Sequence, residues 1–289
     1  MVTRKDFDSP VPPTWCPGCG NHGILNAIRI ALAEQEIAPH QILIVTGIGC
    51  GSKLPHYMKV NGFHTLHGRS LPVATGARLA NHGMKIMTVH GDGDGYGMGL
   101  GHMMHAVRRN IGLVDVVQNN RVYGLTKGQY SPTSDVGMRT PTSPEGAIDR
   151  AVPPLGMAIA AGATFVGRAY PGEFHHFTWL LGEALKHDGY ALVDVLQPCV
   201  TFNRASSYDF YNPRVYKLED EGHDTSDKTA AWEKAYEWGE RIPIGIFYQV
   251  QGVPTYETQM PALQAGPLVD QPLEKLRPEQ EHALLAELI

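Results

Sequence analysis

Apolar residues recur at helical spacing over residues 21–36, where Ile24, Leu25, Ile28 and Leu32 form one stripe with Ala27 and Ala31 between them. A short apolar run, QILIVT at 41–46, follows between a Pro-His turn and a glycine cluster, which is the pattern of a strand buried on both faces. The same alternation continues down the chain. It predicts a loop over 47–70, a helix over 71–82, a strand over 85–90, a helix over 97–109 and a strand over 113–118. Beyond a long loop at 120–147 it predicts a short helix over 154–161, a strand over 164–167, a helix over 173–187 and a strand over 190–196. Strand and helix in alternation imply right-handed crossovers, so the predicted fold class is α/β: a parallel sheet covered by helices on both faces. From Thr201 the periodicity weakens and Tyr, Asp, Glu and Pro become frequent. Residues 1–204 are therefore expected to form the α/β domain, and 205–289 an irregular extension packed on it or on a partner.

Composition narrows the class. The 289 residues carry 18% charged side chains, 32 glycines and 21 prolines, which suits a loop-rich enzyme with much of its surface buried or covered by a partner. A formal net charge of −5, with no cluster of Lys and Arg among aromatics, argues against nucleic-acid binding. The N-terminus lacks the apolar core of a signal peptide, and no stretch approaches the roughly 18 uninterrupted apolar residues of a membrane span. A cytoplasmic protein is expected, and its four cysteines should then be reduced.

Two groups of residues carry chemistry. Gly91-Asp92-Gly93-Asp94-Gly95 directly follows one predicted strand, and Asn119-Asn120 ends the next. Both motifs fall at carboxyl ends of neighbouring strands, where α/β sheets bind ligands. The carboxylate of Asp92 and the amide oxygen of Asn120 are hard ligands suited to Mg²⁺, and the glycines let backbone approach a diphosphate. The pattern matches neither GxGxxG with an acidic ribose reader nor GxxxxGK[ST]. It is similar to the signature of thiamine-diphosphate enzymes; carried onto this chain, that likeness makes Asp92, Asn120 and the carbonyl of Val122 the metal ligands.

The second group is Cys16, Cys19, Cys50 and Cys199. Cys16-Pro17-Gly18-Cys19 can offer two thiolates to one centre, Cys50 lies in the loop after the first strand, and four thiolates are what a [4Fe-4S] cluster requires. Three other roles compete: a redox dithiol of the thioredoxin kind, structural zinc, and inert buried thiols, the last above all for Cys199.

Together WCPGCG, GIGC followed by Lys53, HTLHGR, GDGDG, NNRVYGLTKGQYSPT and the late Pro198-Cys199 occur in an order and spacing that closely resemble the β subunit of two-subunit 2-oxoacid:ferredoxin oxidoreductases. The resemblance spans roughly residues 12 to 204. It implies a thiamine-diphosphate-binding fold, all four cysteines on one [4Fe-4S] cluster, and a cofactor pocket formed by Gly47, Ile48, Gly49, Ser52, His67, Gly68, Arg69, Gly91, Gly93, Asp94, Tyr123, Gly124, Leu125 and Thr126. Lys53, Leu125 and Lys127 become the catalytic candidates, with Lys53 meeting the substrate carboxylate and Gln129 a lesser candidate at the same mouth. The implied activity is CoA-dependent oxidative decarboxylation of a 2-oxoacid, 2-oxoglutarate before pyruvate, with electrons leaving through the cluster to ferredoxin. An α subunit is implied as well, since no second thiamine-binding domain is evident here to supply the glutamate that activates the cofactor; an (αβ)2 assembly is expected. A non-oxidative thiamine-dependent decarboxylase or carboligase would have no use for the cysteines, and a zinc-stabilised binding module none for the diphosphate motif.

Overall fold

Period-two alternation decides how the central sheet is buried. Along β1 (Ile42–Thr46), β3 (Lys85–Gly91), β4 (Leu113–Asn119) and β6 (Tyr190–Leu196), the side chains of Ile42, Ile44, Met87, Val89, Val114, Val116, Ala191 and Val193 enter one apolar layer. Those of Val45, Ile86, Leu113, Val117, Tyr190 and Leu192 enter the layer on the opposite face. The stripe predicted around Ile24 and Ile28 is the buried face of α1 (Gly20–Glu34), which closes the first layer together with α5 (Phe174–Lys186). The second layer is closed by α2 (Ser70–Ala80), α3 (Leu100–Arg108) and α4 (Pro154–Ala160). The computed structural model describes residues 1–271 and 278–286.

The sheet has eight strands in the order β2-β1-β3-β4-β6-β5-β8-β7, with β2 at Asn61–His64, β5 at Phe165–Ala169, β7 at Val215–Lys217 and β8 at Ile242–Gln249. Neighbours are parallel except β5 and β8, which are antiparallel. The α/β sheet covered on both faces is thus as expected, with one antiparallel pair added.

Three local features depart from the sequence expectation. Part of the predicted loop 47–70 is strand β2, whose four residues are all exposed; with no buried face it leaves no apolar pattern, and it is held by parallel pairing with β1. The helix predicted from 97 is preceded by a π-helical turn at Gly93–Met98, so the glycine-rich segment is already coiled where it meets the site. The C-terminal extension is more regular than its composition suggests. After the short α6 (Tyr208–Tyr211) it contributes β7, α7 (Lys228–Ala235) and β8, then α8 (Tyr256–Gln259) and α9 (Pro278–Ala286). Ile242, Ile244 and Phe247 of β8 are fully buried, and at about 1.5–3 kcal/mol per large apolar side chain their burial explains why this segment joins the sheet. Among the described residues, no helix is long and apolar enough to cross a membrane.

Candidate active site

The parallel strands deliver the loops after β1, β2, β3, β4 and β6 to one edge of the sheet. There Ile48, Gly49, His67, Gly91, Asp92, Gly93, Asp94, Asn120 and the 122–126 segment line a common cleft. Close approach explains two of the glycines. A Cβ on Gly93 would stand 2.1 Å from Cε1 of Tyr123, and one on Gly47 would stand 2.1 Å from Oδ2 of Asp94.

Asp94 fastens three of these loops. Its Oδ1 accepts the Ile48 N–H at 2.8 Å and the Gly68 N–H at 2.9 Å, and lies 2.5 Å from His67 Nδ1. Its Oδ2 lies 3.1 Å from Nδ1 of the buried His90. Burial acts to raise the Asp94 carboxyl, but the hydrogen bond and charge of His90, with the Ile48 and His67 bonds, outweigh it and hold the group below the usual carboxylate range. His90 is itself desolvated, yet its Nε2 sits 2.6 Å from Asp115 Oδ1, and the two carboxylates push its pKa up to about 10. Asp115 in turn accepts the hydroxyls of Thr88 and Tyr190, each at 2.5 Å. A buried chain of charge therefore runs from the cleft back between the strands.

Asp92 is only 1% exposed, and its Oδ2 accepts the hydroxyls of Ser131 at 2.5 Å and Thr133 at 2.6 Å. Burial raises its pKa against those bonds, and no cationic side chain among the described residues pairs with it. Across a tight turn at Arg121, whose φ is +60°, Asn120 Oδ1 accepts the Val122 N–H at 3.1 Å. Both amide atoms of Gln118, which lines the cleft, are buried without a hydrogen-bond partner among the described residues, as is Ser52 Oγ, next in the chain to Gly51 of the cleft wall. An uncompensated buried carboxylate, orphaned polar atoms and a cradle that admits no Cβ fit a divalent cation carrying a diphosphate.

The four cysteines line an adjoining cavity of about 210 Å³, together with Lys53 and Lys127. Cys16 and Cys19 sit at the entry to α1, where the Cys19 N–H donates to the Cys16 carbonyl at 3.1 Å. The Gly20 N–H donates to the Pro198 carbonyl at 3.1 Å and so ties the Cys199 loop to the same point. Cys50 is placed from the other side by Trp15, whose Nε1 donates to its carbonyl at 2.6 Å. None of the four is in a disulfide. Burial, with the neighbouring sulfurs, pushes the Cys19 thiol up to about 12, and burial raises Cys50 as well. Such thiols stay protonated until a metal takes the proton's place. Among the described residues no group of three or more His, Cys, Asp or Glu side chains is placed to hold a metal ion; the four cysteines line a common cavity.

Cys50, Asn120, Gly124, Leu125 and Gln197 line both cavities. The diphosphate motif and the cysteines thus share a wall. Lys53 and Lys127 stand on the cysteine side of it, and Lys127 holds a left-handed backbone, φ +82°, within the hairpin closed by Tyr123 and Gln129. Of the other predicted pocket residues, Gly47 and Gly68 act through Asp94, whereas Arg69 is exposed and bonds His102 on α3. Sequence inspection missed Gln118, Gln197, Ser131, Thr133 and His90. Gln197 Nε2 donates to Cys19 Sγ at 3.3 Å, and its place just before Pro198-Cys199, like that of Gln118 just before Asn119-Asn120, was the available signal.

Two family models match the chain. One is the thiamine pyrophosphate enzyme C-terminal TPP-binding domain, over residues 40–195, and the other is the C-terminal part of the pyruvate ferredoxin oxidoreductase beta subunit, over residues 199–265. Subunit beta of 2-oxoacid:ferredoxin oxidoreductase 1 from Aeropyrum pernix is 45% identical over 94% of this chain and 89% of its own. The 2-oxoglutarate oxidoreductase subunit KorB of Mycobacterium tuberculosis is 46% identical over 70% of this chain and 54% of its own. Among solved structures, a chain of the 2-oxoglutarate:ferredoxin oxidoreductase from Magnetococcus marinus, described with 2-oxoglutarate, coenzyme A and succinyl-CoA bound, superposes with a TM-score of 0.89. It is 38% identical, with 99% of this chain and 96% of that one covered.

Proposed function

Because this chain belongs to the 2-oxoacid:ferredoxin oxidoreductase β-subunit family, a family of oxidoreductases, we propose that it holds thiamine diphosphate, Mg²⁺ and a [4Fe-4S] cluster and catalyses CoA-dependent oxidative decarboxylation of 2-oxoglutarate. The observation that carries this is the shared wall of Cys50, Asn120, Gly124, Leu125 and Gln197, which sets a diphosphate cradle directly against four cysteines. When bound, thiamine diphosphate supplies the electron sink for breaking the bond to the carboxylate, and the cluster supplies an exit for electrons.

The chain's own residues supply position and charge. Asp92, Asn120 and the Val122 carbonyl would hold Mg²⁺, while Asp94 keeps the loops that carry Ile48, His67 and Gly68 in register. Leu125, 41% exposed at the boundary between the cavities, gives the cofactor an apolar wall that excludes water on one side. Lys53 is the point charge for the substrate carboxylate, with Lys127 beside it at the same mouth. The substrate assignment rests on the names of the relatives from Mycobacterium tuberculosis and Magnetococcus marinus, and pyruvate is the second choice. Ferredoxin is the electron acceptor, and an α subunit supplies the activating glutamate within an (αβ)2 assembly. Four free thiols suit a cytoplasmic setting.

The test is metal and cofactor content per chain after anaerobic co-purification with the α subunit, followed by ferredoxin reduction with each 2-oxoacid. About four irons and four sulfides with one thiamine diphosphate, and turnover fastest on 2-oxoglutarate, are expected. Thiamine without iron would move the chain to non-oxidative decarboxylation, and zinc without thiamine would overturn the diphosphate assignment.

A further inference from the structure

A third cavity, of about 240 Å³, lies behind the turn that carries Asn120 and Val122. Its wall toward the active site is built from Asn119, Arg121 and Thr133, and Thr133 Oγ1 bridges Asp92 at 2.6 Å and Asn119 at 2.8 Å. Arg168, from the end of β5, and Trp238 line it as well.

Two guanidinium groups converge here on one indole. The Arg121 guanidinium carbon lies 4.7 Å from the Trp238 ring centre and that of Arg168 lies 5.6 Å from it, with both arginines about 5% exposed or less. Each is paired with one carboxylate, and both carboxylates, Asp135 and Asp194, line the cavity too. Arg121 meets Asp135, whose side chain is 67% exposed. Arg168 Nε reaches Asp194 Oδ2 at 3.3 Å, but Asp194 Oδ1 already serves the Asn119 amide at 3.1 Å and the Tyr96 hydroxyl at 3.0 Å. Nη1 of Arg168 is buried with no hydrogen-bond partner among the described residues. A buried guanidinium with one donor unused is costly until a further acceptor meets it. A planar carboxylate matches a guanidinium edge, and the cavity has room for a small organic acid.

We propose that this cavity is a second anion site, distinct from the thiamine pocket, that takes a carboxylate on Arg168 with Arg121 and Trp238 as its walls. The carboxylate can come from a free small acid or from an acidic side chain of the α subunit.

The experiment is calorimetric titration of acetate and of succinate, against chloride at matched ionic strength, into the assembled enzyme and into the full chain alone. Saturable binding of one carboxylate per chain is expected, weakened at least tenfold by Arg168→Gln and blocked by Ala151→Phe, which plugs the rim from an exposed position without touching the ion pairs. Lys53→Ala should leave it unchanged. Binding that survives assembly assigns the site to a free acid, and binding to the lone chain that vanishes on assembly assigns it to an acidic side chain of the α subunit. No saturable binding to either form, binding removed by Lys53→Ala but not by Arg168→Gln, or binding of inorganic phosphate in place of both carboxylates would overturn the proposal.

Discussion

Replacing Gly47 by alanine should cost far more than a methyl group ordinarily does. The added Cβ would stand 2.1 and 2.3 Å from the Asp94 carboxylate oxygens and 2.4 Å from its Cγ, where ordinary contact begins near 3.4 Å. Asp94 has to retreat by more than an ångström, and it has nowhere to go: its Oδ1 is held by Ile48 N–H, Gly68 N–H and His67, its Oδ2 by His90. Losing two hydrogen bonds to a charged group, at about 1.5–3 kcal/mol each, gives a destabilisation of about 3–6 kcal/mol. Domains of 150–250 residues shift by about 2–4 °C per kcal/mol, so the melting temperature of the chain should fall by roughly 6–24 °C. Gly101→Ala is the control, because nothing lies within 4 Å of its Cβ and α3 should gain about 0.5–1 kcal/mol from the exchange. The assay is thermal unfolding of both variants by circular dichroism, with thiamine diphosphate affinity measured beside it. A Gly47→Ala chain that melts with the wild type would refute the role given to Asp94 as the fastener of three loops.

Asp92→Asn should abolish Mg²⁺-dependent thiamine diphosphate binding by more than about 100-fold in equilibrium dialysis while leaving the metal-free chain as stable as before or more so, since it removes a buried charge that has no cation beside it; a strongly destabilised metal-free variant would contradict this. His90 has its folded pKa raised from 6.5 to about 10, so its contribution is fully present below about pH 6.5 and is lost as pH rises through 10. The urea midpoints of wild type and His90→Gln should therefore converge between about pH 6.5 and 10, and parallel curves would count against a charged His90. Cys199→Ser, in the anaerobically purified complex, should lose most of its iron and sulfide yet keep thiamine diphosphate, because Cys199 lines only the second of the two cavities; wild-type iron content would remove it from the ligand set.

The motifs of the candidate site were more legible in the sequence than some of the scaffold around them. Asp92, Asn120 and the cysteines stand out by residue type and spacing, though spacing alone left the cysteines several roles, and the strands β1, β3, β4 and β6 show as apolar runs because both faces are buried. Strand β2 had no such signal, since Asn61–His64 is exposed and is fixed by backbone pairing alone. The apolar segment that became β8 was masked by the polar, proline-rich residues around it, and its place depends on partners far back in the chain. Gln118, Gln197, Ser131 and Thr133 belong to the site only through three-dimensional proximity, and the convergence of Arg121 and Arg168 on Trp238 joins residues that no local pattern connects.

The antiparallel seam between β5 and β8 has a consequence for synthesis. During translation the strands from β1 to β6 can pair as they leave the ribosome, but the outer edge of β5 stays open until the chain has been extended as far as Gln249. Through that interval a row of free amides and carbonyls, beside the apolar side chains of Phe165 and Val166, is presented to whatever is near. Open strand edges of this kind recruit other chains, and pairings between distant segments form slowly. A nascent chain interrupted between Leu196 and Ile242 is thus the form most exposed to aggregation, and the last strands act as the sheet's own edge guard.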